Sequence, residues 1–278
     1  MKKRTLGRTN EQLSVIGFGG IIVMNETQEN TNNFVAEAID RNINYFDVAP
    51  TYGNAQERLG PALKPYRDKC FLACKTAERD AKSSEKELNE SLKLLETDHF
   101  DLYQFHGISS VEEVEKIFAS DGAMETFIKA KEKGLVKHLG FSAHSEEAAL
   151  LMLDKYDFDT VLFPVSLACW PNNHFGEKII KKARERNMGV LALKSLAKRN
   201  WEENETKKWN KCWYKPIDDA EEVMSALRFT LSQPVTAAVA PGHIELFRLA
   251  CEQVEKLGDE IDKELTEFSF IPGSAPIL

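Results

Sequence analysis

Four residue types that together move protons close, or closely follow, three successive apolar runs of this chain. Asp47 follows Ile43-Asn44-Tyr45-Phe46, and Tyr52 comes five residues later in a loop broken by Pro50 and Gly53. Lys75 ends Phe71-Leu72-Ala73-Cys74, and His106 ends Leu102-Tyr103-Gln104-Phe105. A phenol with a pKa near ~10 is a poor acid at neutral pH. A neighbouring ammonium favours its ionised form, and a carboxylate paired with that ammonium sets its position and strength. A histidine beside them can hydrogen-bond a substrate oxygen. Such a set suits protonation of a carbonyl oxygen while a hydride arrives at carbon. The hydride must come from a cofactor, because no side chain supplies one. Singly, each residue has a plainer reading as a helix cap, a core tyrosine, a solvated charge or a structural histidine. Their grouping at strand ends carries the argument.

The elements that must position these groups follow from hydrophobic periodicity. Short, nearly continuous apolar runs predict strands over 15–20, 43–49, 70–76, 100–106, 136–142, 160–165, 189–195 and 235–240. Between them the pattern predicts helices over 31–41, 55–63, 122–133, 145–153, 175–186, 219–231 and 244–257. One more is opened by Ser84-Glu85-Lys86-Glu87, read as a capping box, with Leu88, Leu92 and Leu95 on one side. Thr5 to Val15 reads as a short N-terminal β-hairpin. Eight strands alternating with helices, apolar enough to be covered on both faces, point to an α/β fold, a (β/α)8 TIM barrel, in one domain spanning residues 1–278. A doubly wound dinucleotide-binding sheet would need Gly-x-Gly-x-x-Gly after the first strand, and Gly17-x-Gly19-Gly20 does not fit it. Barrel chemistry sits at the C-terminal strand ends. Here those ends read Gly19-Gly20, Asp47, Lys75, His106, Ser142, Ser166, Lys194-Ser195 and Pro241-Gly242.

Composition bounds the function. A chain of 278 residues, 42% hydrophobic and 29% charged, can bury a large core, and its net charge of −8 argues against a general nucleic-acid or anionic-membrane surface. No apolar run is long enough to span a bilayer, and Met1-Lys2-Lys3-Arg4 is not followed by an apolar signal core, so a cytoplasmic location is expected. Five scattered cysteines (Cys70, Cys74, Cys169, Cys212 and Cys251) fit reduced, buried thiols better than a metal site. The connection 197–218 shows no helix or strand period and holds three of the four tryptophans, as a lid or substrate wall over a barrel mouth would. The apolar tail 268–278 is expected to pack onto the body.

These motifs resemble the aldo-keto reductase family along nearly the whole chain. Leu6-Gly7-Arg8-Thr9 through Ile16-Gly17-Phe18-Gly19-Gly20 is similar to that family's opening, and Phe46-Asp47-x-Ala49-x-x-Tyr52-Gly53, followed by Glu57-x-Leu59-Gly60, to its most specific signature. Lys75-Thr76 and Asp101-Leu102-Tyr103-Gln104-Phe105-His106 complete the tetrad. The resemblance implies that Tyr52 is the general acid, Lys75 the neighbour that lowers its pKa, Asp47 the partner of Lys75, and His106 the residue that orients substrate. It also implies an extended nicotinamide dinucleotide bound on the barrel near Gly20, Asp47, Ser142, Ser166, Lys194, Gly242, His243, Arg248 and Glu252. Arg248, seven residues after Pro241, matches the position that grips an adenosine 2′-phosphate, which favours NADP(H) over NAD(H). The chain departs from the family where Ala143-His144 follows Ser142 in place of Asn, and where Leu162-Phe163 and Leu193 replace the usual Gln and stacking Tyr. Gly242 and Glu252 likewise replace a frequent Lys and Asn. Gly189 to Lys194 looks like a bacterial branch, with Lys194 at the cofactor phosphates or the substrate.

The leading expectation is therefore an NADP(H)-dependent oxidoreductase that reduces an aldehyde or ketone to an alcohol. Ile22, Trp170, His174 and Trp213 are the candidate pocket wall, which suggests an aromatic or bulky carbonyl. The rival from another class is a catalytically silent, cofactor-sensing regulatory subunit with the same fold. A metal-dependent hydrolase would need clustered ligands at strand ends, where only Asp47 and His106 could contribute.

Overall fold

A computed structural model describes residues 1–278 apart from 171–174, 264, 266, 267, 276 and 278. The chain opens with β1 (Lys3–Thr5) and β2 (Gln12–Ser14), an antiparallel hairpin. Then come β3 (Ile16–Gly19), a 3-10 turn Gly20–Val23, α1 (Gln28–Asp40), β4 (Tyr45–Asp47) and α2 (Ala55–Leu63). They are followed by β5 (Phe71–Thr76), α3 (Ala81–Leu94), β6 (Phe100–Ile108), α4 (Val111–Ile117), α5 (Met124–Glu132), β7 (Val136–Ala143) and α6 (Glu146–Lys155). Next are β8 (Thr160–Pro164), α7 (Glu177–Glu185), β9 (Gly189–Leu193) and a second hairpin, β10 (Ala197–Asn200) with β11 (Tyr214–Pro216). The described fold ends with α8 (Ala220–Ser232), β12 (Ala237–Val239), α9 (Ile244–Leu257) and a 3-10 turn Gly258–Asp262. Parallel strands close into a barrel in the order β12-β3-β4-β5-β6-β7-β8-β9, so the expected (β/α)8 barrel with its N-terminal hairpin is what forms.

Two apolar layers hold it. The inner one joins Tyr45, Phe71, Ala73, Leu102, Leu162, Leu191 and Ala237 from the strands with Leu6 and Leu13 from the hairpin. Those two leucines close one end of the barrel, the end away from the strand termini that carry polar residues. Gly7 makes that plug possible: its φ is +50°, and a Cβ there would lie 2.4 Å from the Gly189 nitrogen. The outer layer packs the helices onto the strands, with Phe105 stacked on Phe127 at 3.7 Å between ring centroids. Side-chain caps start α1 (Thr27), α3 (Asp80), α6 (Ser145) and α8 (Asp219).

Local differences from the sequence reading have identifiable causes. The cap of α3 is Asp80, not Ser84, which is buried inside the helix. Glu87 instead accepts from the Thr76 hydroxyl and the Ala77 N–H, tying the helix to the end of β5. The reciprocal capping box belongs to Ser110 and Glu113 at α4. The stretch 197–218 contains the β10–β11 pair, whose four- and three-residue strands are too short to show a period. In the tail, Ile271 and Ile277 are buried, whereas Phe268 and Phe270 stay exposed at the surface. All five cysteines are free and buried. Among the described residues, no helix is long and apolar enough to cross a membrane and no group of side chains could hold a metal.

Candidate active site

Strand geometry places the polar groups. Alternate residues of a strand face the same way, so Tyr45 and Asp47, Phe71, Ala73 and Lys75, and Leu102, Gln104 and His106 line the barrel interior. On each strand the last of these inward residues is polar and lies above apolar ones. The pairing of Asp47 with Ala73 and of Lys75 with Gln104 sets the strands in register. The Lys75 ammonium donates to Asp47 Oδ1, and the two residues are 1% and 2% exposed. Asp47 Oδ2 accepts from the Tyr45 hydroxyl at 3.1 Å and from Gln104 Nε2 at 3.3 Å. This carboxylate is buried with its charge matched and both oxygens satisfied, which is what burying an ion requires.

Tyr52 stands over this pair. Lys75 Nζ lies 5.5 Å from the Tyr52 ring centroid, and the His106 ring meets Tyr52 edge-on at 5.8 Å. Thr51 Oγ1 is 3.4 Å from His106 Nδ1, and Arg79 donates to the His106 carbonyl at 2.7 Å while pairing with Glu113. Burial raises the Tyr52 pKa above the ordinary phenol value, outweighing the nearby Lys75 ammonium, which pulls it down. Burial alone would lower Lys75, but Asp47 and Tyr52 overcome it and raise its pKa. His106 is held down to about 3 by burial, then by Lys75, His144 and Arg79. In this protein Tyr52 is thus a protonated phenol and His106 a neutral imidazole at physiological pH.

These four side chains open into one cavity of about 330 Å³ at the C-terminal strand ends. Ser142, Lys194, Gly242 and Trp213, each singled out in the sequence, also line it. Ser142 Oγ accepts from the Gly107 N–H at 2.7 Å, joining the ends of β6 and β7. A second cavity of about 650 Å³ adjoins the first at Lys211 and is lined by Glu26, Asn30, Phe34, His243 and Glu245 among others. Here α9 begins at His243 without a side-chain cap, so its first N–H groups remain available to an anion. Lys211 donates to the Ile22 carbonyl at 2.8 Å and to Glu26 at 2.7 Å, and its own N–H donates to His243 Nε2 at 3.1 Å. The Trp-rich segment therefore passes directly over Gly242, where a Cβ would stand 2.9 Å from the Lys211 carbonyl oxygen. An elongated, two-part groove ending at an uncapped helix N-terminus fits an extended dinucleotide phosphate.

Other candidates lie elsewhere. Ile22 does not line the cavity: the 3-10 turn directs it into the core, and Ile21 takes the wall position. Trp170 packs edge-on against Phe229 at 5.9 Å rather than facing the opening. His174 lies outside the described residues. Gly20 packs its backbone against Val48, and Ser166 is buried, its hydroxyl accepting from the Cys169 N–H. Arg248 is engaged by Glu37 and lies over Phe34, with Glu252 exposed one turn further along α9. The sequence reading named Tyr214 among the aromatics of the segment over the mouth, but did not single out Tyr45, Gln104, Cys212 or Lys211 as parts of this region. Inward alternation along β4 and β6 could have found Tyr45 and Gln104.

The sequence model described as the Aldo/keto reductase family matches residues 15–269. An uncharacterized oxidoreductase, YqkF of Bacillus subtilis, is 26% identical over 238 residues, which are 81% of this chain and 71% of that protein. The aldo-keto reductase YhdN of the same organism is 27% identical over 71% of this chain and 63% of its own length. Among solved structures, the holo form of the aldo-keto reductase AKR11C1 from Bacillus halodurans superposes with a TM-score of 0.73 at 22% identity, covering 96% of this chain and 93% of that one. With the family signature extending over all but the two ends of the sequence and the barrel closed in the same way, this chain belongs to the aldo/keto reductase family.

Proposed function

We propose that the protein reduces an aldehyde or ketone to an alcohol, with NADPH as the hydride donor. The observation that carries this reading is the buried Lys75 ammonium, fixed by Asp47 beneath the Tyr52 ring, with His106 facing the same cavity. A nicotinamide, when bound, supplies the hydride. The chain's own residues do the rest. His106, whose Nδ1 lies 3.4 Å from Thr51 Oγ1, would use its other ring nitrogen to hydrogen-bond the substrate oxygen and orient the carbonyl. Tyr52 gives its proton to that oxygen as negative charge develops there. Lys75 stabilises the phenolate that remains, and Asp47 with its Tyr45 and Gln104 partners holds the ammonium in place. The uncapped start of α9 at the second cavity would hold a cofactor phosphate, and Arg248, lying against the Phe34 wall of that cavity, supports a 2′-phosphate.

Oxidation of NADPH followed with an aromatic aldehyde tests the reading. Tyr52→Phe should lower kcat by about 10²–10⁴-fold, the usual contribution of general acid catalysis, while dinucleotide affinity, measured by fluorescence quenching, stays nearly unchanged. Equal loss of binding and turnover would refute the role of Tyr52. Tight dinucleotide binding with no turnover of any carbonyl by the wild type would favour a sensing role instead.

A further inference from the structure

β6 carries one extra residue between Phe105 and Ile108. Phe105 pairs with Phe141 of β7 and Ile108 with Ala143, so three steps on β6 meet two on its neighbour. Phe105 and Ile108 accordingly both pack in the outer apolar layer, while His106 lines the cavity. Gly107 completes the bulge with φ +63°. A bulge bends its strand, disrupts the local ladder and re-aims a side chain. Side chains hold the backbone here. Arg79 Nη2 donates to the His106 carbonyl at 2.7 Å, and Ser142 Oγ accepts from the Gly107 N–H at 2.7 Å.

Arg79 is itself anchored. Glu113 Oε1 accepts from its Nε at 3.2 Å and its Nη2 at 3.0 Å, while Glu113 Oε2 accepts from the Ser109 and Ser110 N–H groups. The Arg79 carbonyl accepts from the Ala123 N–H at 2.9 Å. Its Nη1 lies 3.4 Å from the Thr76 carbonyl oxygen, at the end of the strand that carries Lys75. Arg79 is not among the described residues that line the cavity, and its charge is matched by Glu113. Whatever it does for the reaction it does through the backbone. Arg67 offers a comparison at the other ends of the same two strands. It donates to the Cys70 carbonyl at 3.0 Å and the His99 carbonyl at 2.8 Å, and it pairs with Asp101. Both arginine side chains are 14% exposed.

We propose that Arg79 is a positioning residue for the reaction: through the His106 carbonyl it fixes the bulge that aims the imidazole at the substrate oxygen. The proposal rests on the carbonyl-reductase reading, which gives His106 that oxygen. A guanidinium presents its N–H groups in a rigid fork, so one side chain holds the His106 carbonyl and the Glu113 carboxylate together. Glu113, which closes the capping box of α4, thus also anchors the group that steadies His106. Without the guanidinium the bulge loosens, and the imidazole samples orientations that do not meet the substrate. A misplacement of about 1 Å in an orienting group costs about 100-fold in rate.

The test measures kcat/KM for benzaldehyde at saturating NADPH, beside denaturant unfolding, in matched variants. Arg79→Ala should lower kcat/KM by about 10–100-fold. Arg67→Ala, which loosens the same strands at their other ends, should lose similar stability yet stay within about twofold of wild type in kcat/KM. Glu113→Gln, which loosens the guanidinium but keeps it, should lower kcat/KM several-fold, and it carries the comparison if Arg79→Ala does not fold. Because Arg79 acts through His106, adding Arg79→Ala to His106→Ala should cost no more than about a further twofold. An equal fall in Arg67→Ala, or effects of Arg79→Ala and His106→Ala that simply multiply, overturns the proposal and leaves the reductase reading intact. If wild type turns over no aldehyde, the reductase reading is the one that fails. Proton NMR of the His106 ring, identified by its loss in His106→Ala, then decides the positioning. A signal that moves in Arg79→Ala but not in Arg67→Ala sustains it, and one unmoved in Arg79→Ala, or moved equally in both, overturns it.

Discussion

Glu37 of α1 grips Arg248 of α9 with both carboxylate oxygens: Arg248 Nε lies 3.0 and 2.9 Å from them, and Nη2 lies 2.7 Å from Oε2. The guanidinium is thereby pressed over Phe34, a wall residue of the second cavity. This pairing orients Arg248 and also neutralises it, so under the proposed NADPH reading both residues should affect how a 2′-phosphate is received.

Arg248→Ala should raise KM for NADPH by about 10–100-fold, the loss of one charge-assisted contact, and leave KM for NADH within about twofold. Glu37→Gln removes a negative charge from beside the phosphate and should lower KM for NADPH. Initial rates with both cofactors decide this. If NADPH and NADH respond alike to Arg248→Ala, the residue serves to tie α1 to α9 and does not select the cofactor.

The Asp47–Lys75 pair makes a prediction about stability as well as rate. Lys75→Met leaves a carboxylate at 2% exposure without its counterion, and breaking a buried pair from one side costs about 3–5 kcal/mol. Removing both charges, in Asp47→Asn with Lys75→Met, should restore most of that stability because no buried charge is left unmatched. Turnover should be absent from both variants. Denaturant unfolding beside an NADPH-oxidation assay separates the two effects. A double variant as unstable as Lys75→Met would mean that packing, not charge, holds this site.

Most of the barrel and the four central residues could be read from the chain, because each barrel strand is a short apolar run whose end is marked by a polar residue or glycine. Asp47, Lys75 and His106 interrupt such runs, and interruption is a local signal. What escaped the reading depends on partners distant in sequence. The Glu37–Arg248 pair joins residues 211 apart, and no local pattern announces it. Ile22 is one of the residues expected at the wall, but a 3-10 turn rotates the chain there and Ile21 lines the cavity. Ser84 and Glu87 have the spacing of a capping box, yet Asp80 starts the helix one turn earlier, and Glu87 is drawn to Thr76 and Ala77.

Two depressed histidines predict how stability varies with pH. The folded values are about 3 for His106 and about 4 for His144, whereas an unfolded histidine titrates near ~6.5. Between those limits the unfolded chain binds more protons than the folded one. The stability contribution is therefore intact above ~6.5 and falls as pH falls, by about 1.4 kcal/mol per unit for each histidine, until the folded value is reached. His144→Gln should remove about that much slope between pH 6 and 5 in denaturant melts. An unchanged slope would show that His144 titrates normally in the folded protein. Turnover should behave differently: with His106 neutral and Tyr52 still protonated, kcat/KM should show no histidine limb from about pH 6 to 8.

Trp213 offers the sharpest reading of the substrate side. It is 67% exposed, yet its ring lies 5.8 Å from that of Tyr52, on the lip of the cavity. An exposed tryptophan gains little stability from its position, so Trp213→Ala should change unfolding free energy by no more than about 0.5 kcal/mol. Its surface is instead available to cover a bound ring. An aromatic contact of this kind is worth about 0.5–1.5 kcal/mol, so KM for 2-naphthaldehyde should rise by about 3–10-fold. For butanal, which offers no ring, the change should be smaller, and kcat should move less than KM for both. A fall in kcat for both aldehydes at constant KM would instead mean that Trp213 acts by holding Tyr52 in place, since a wall can weaken binding only of what it touches.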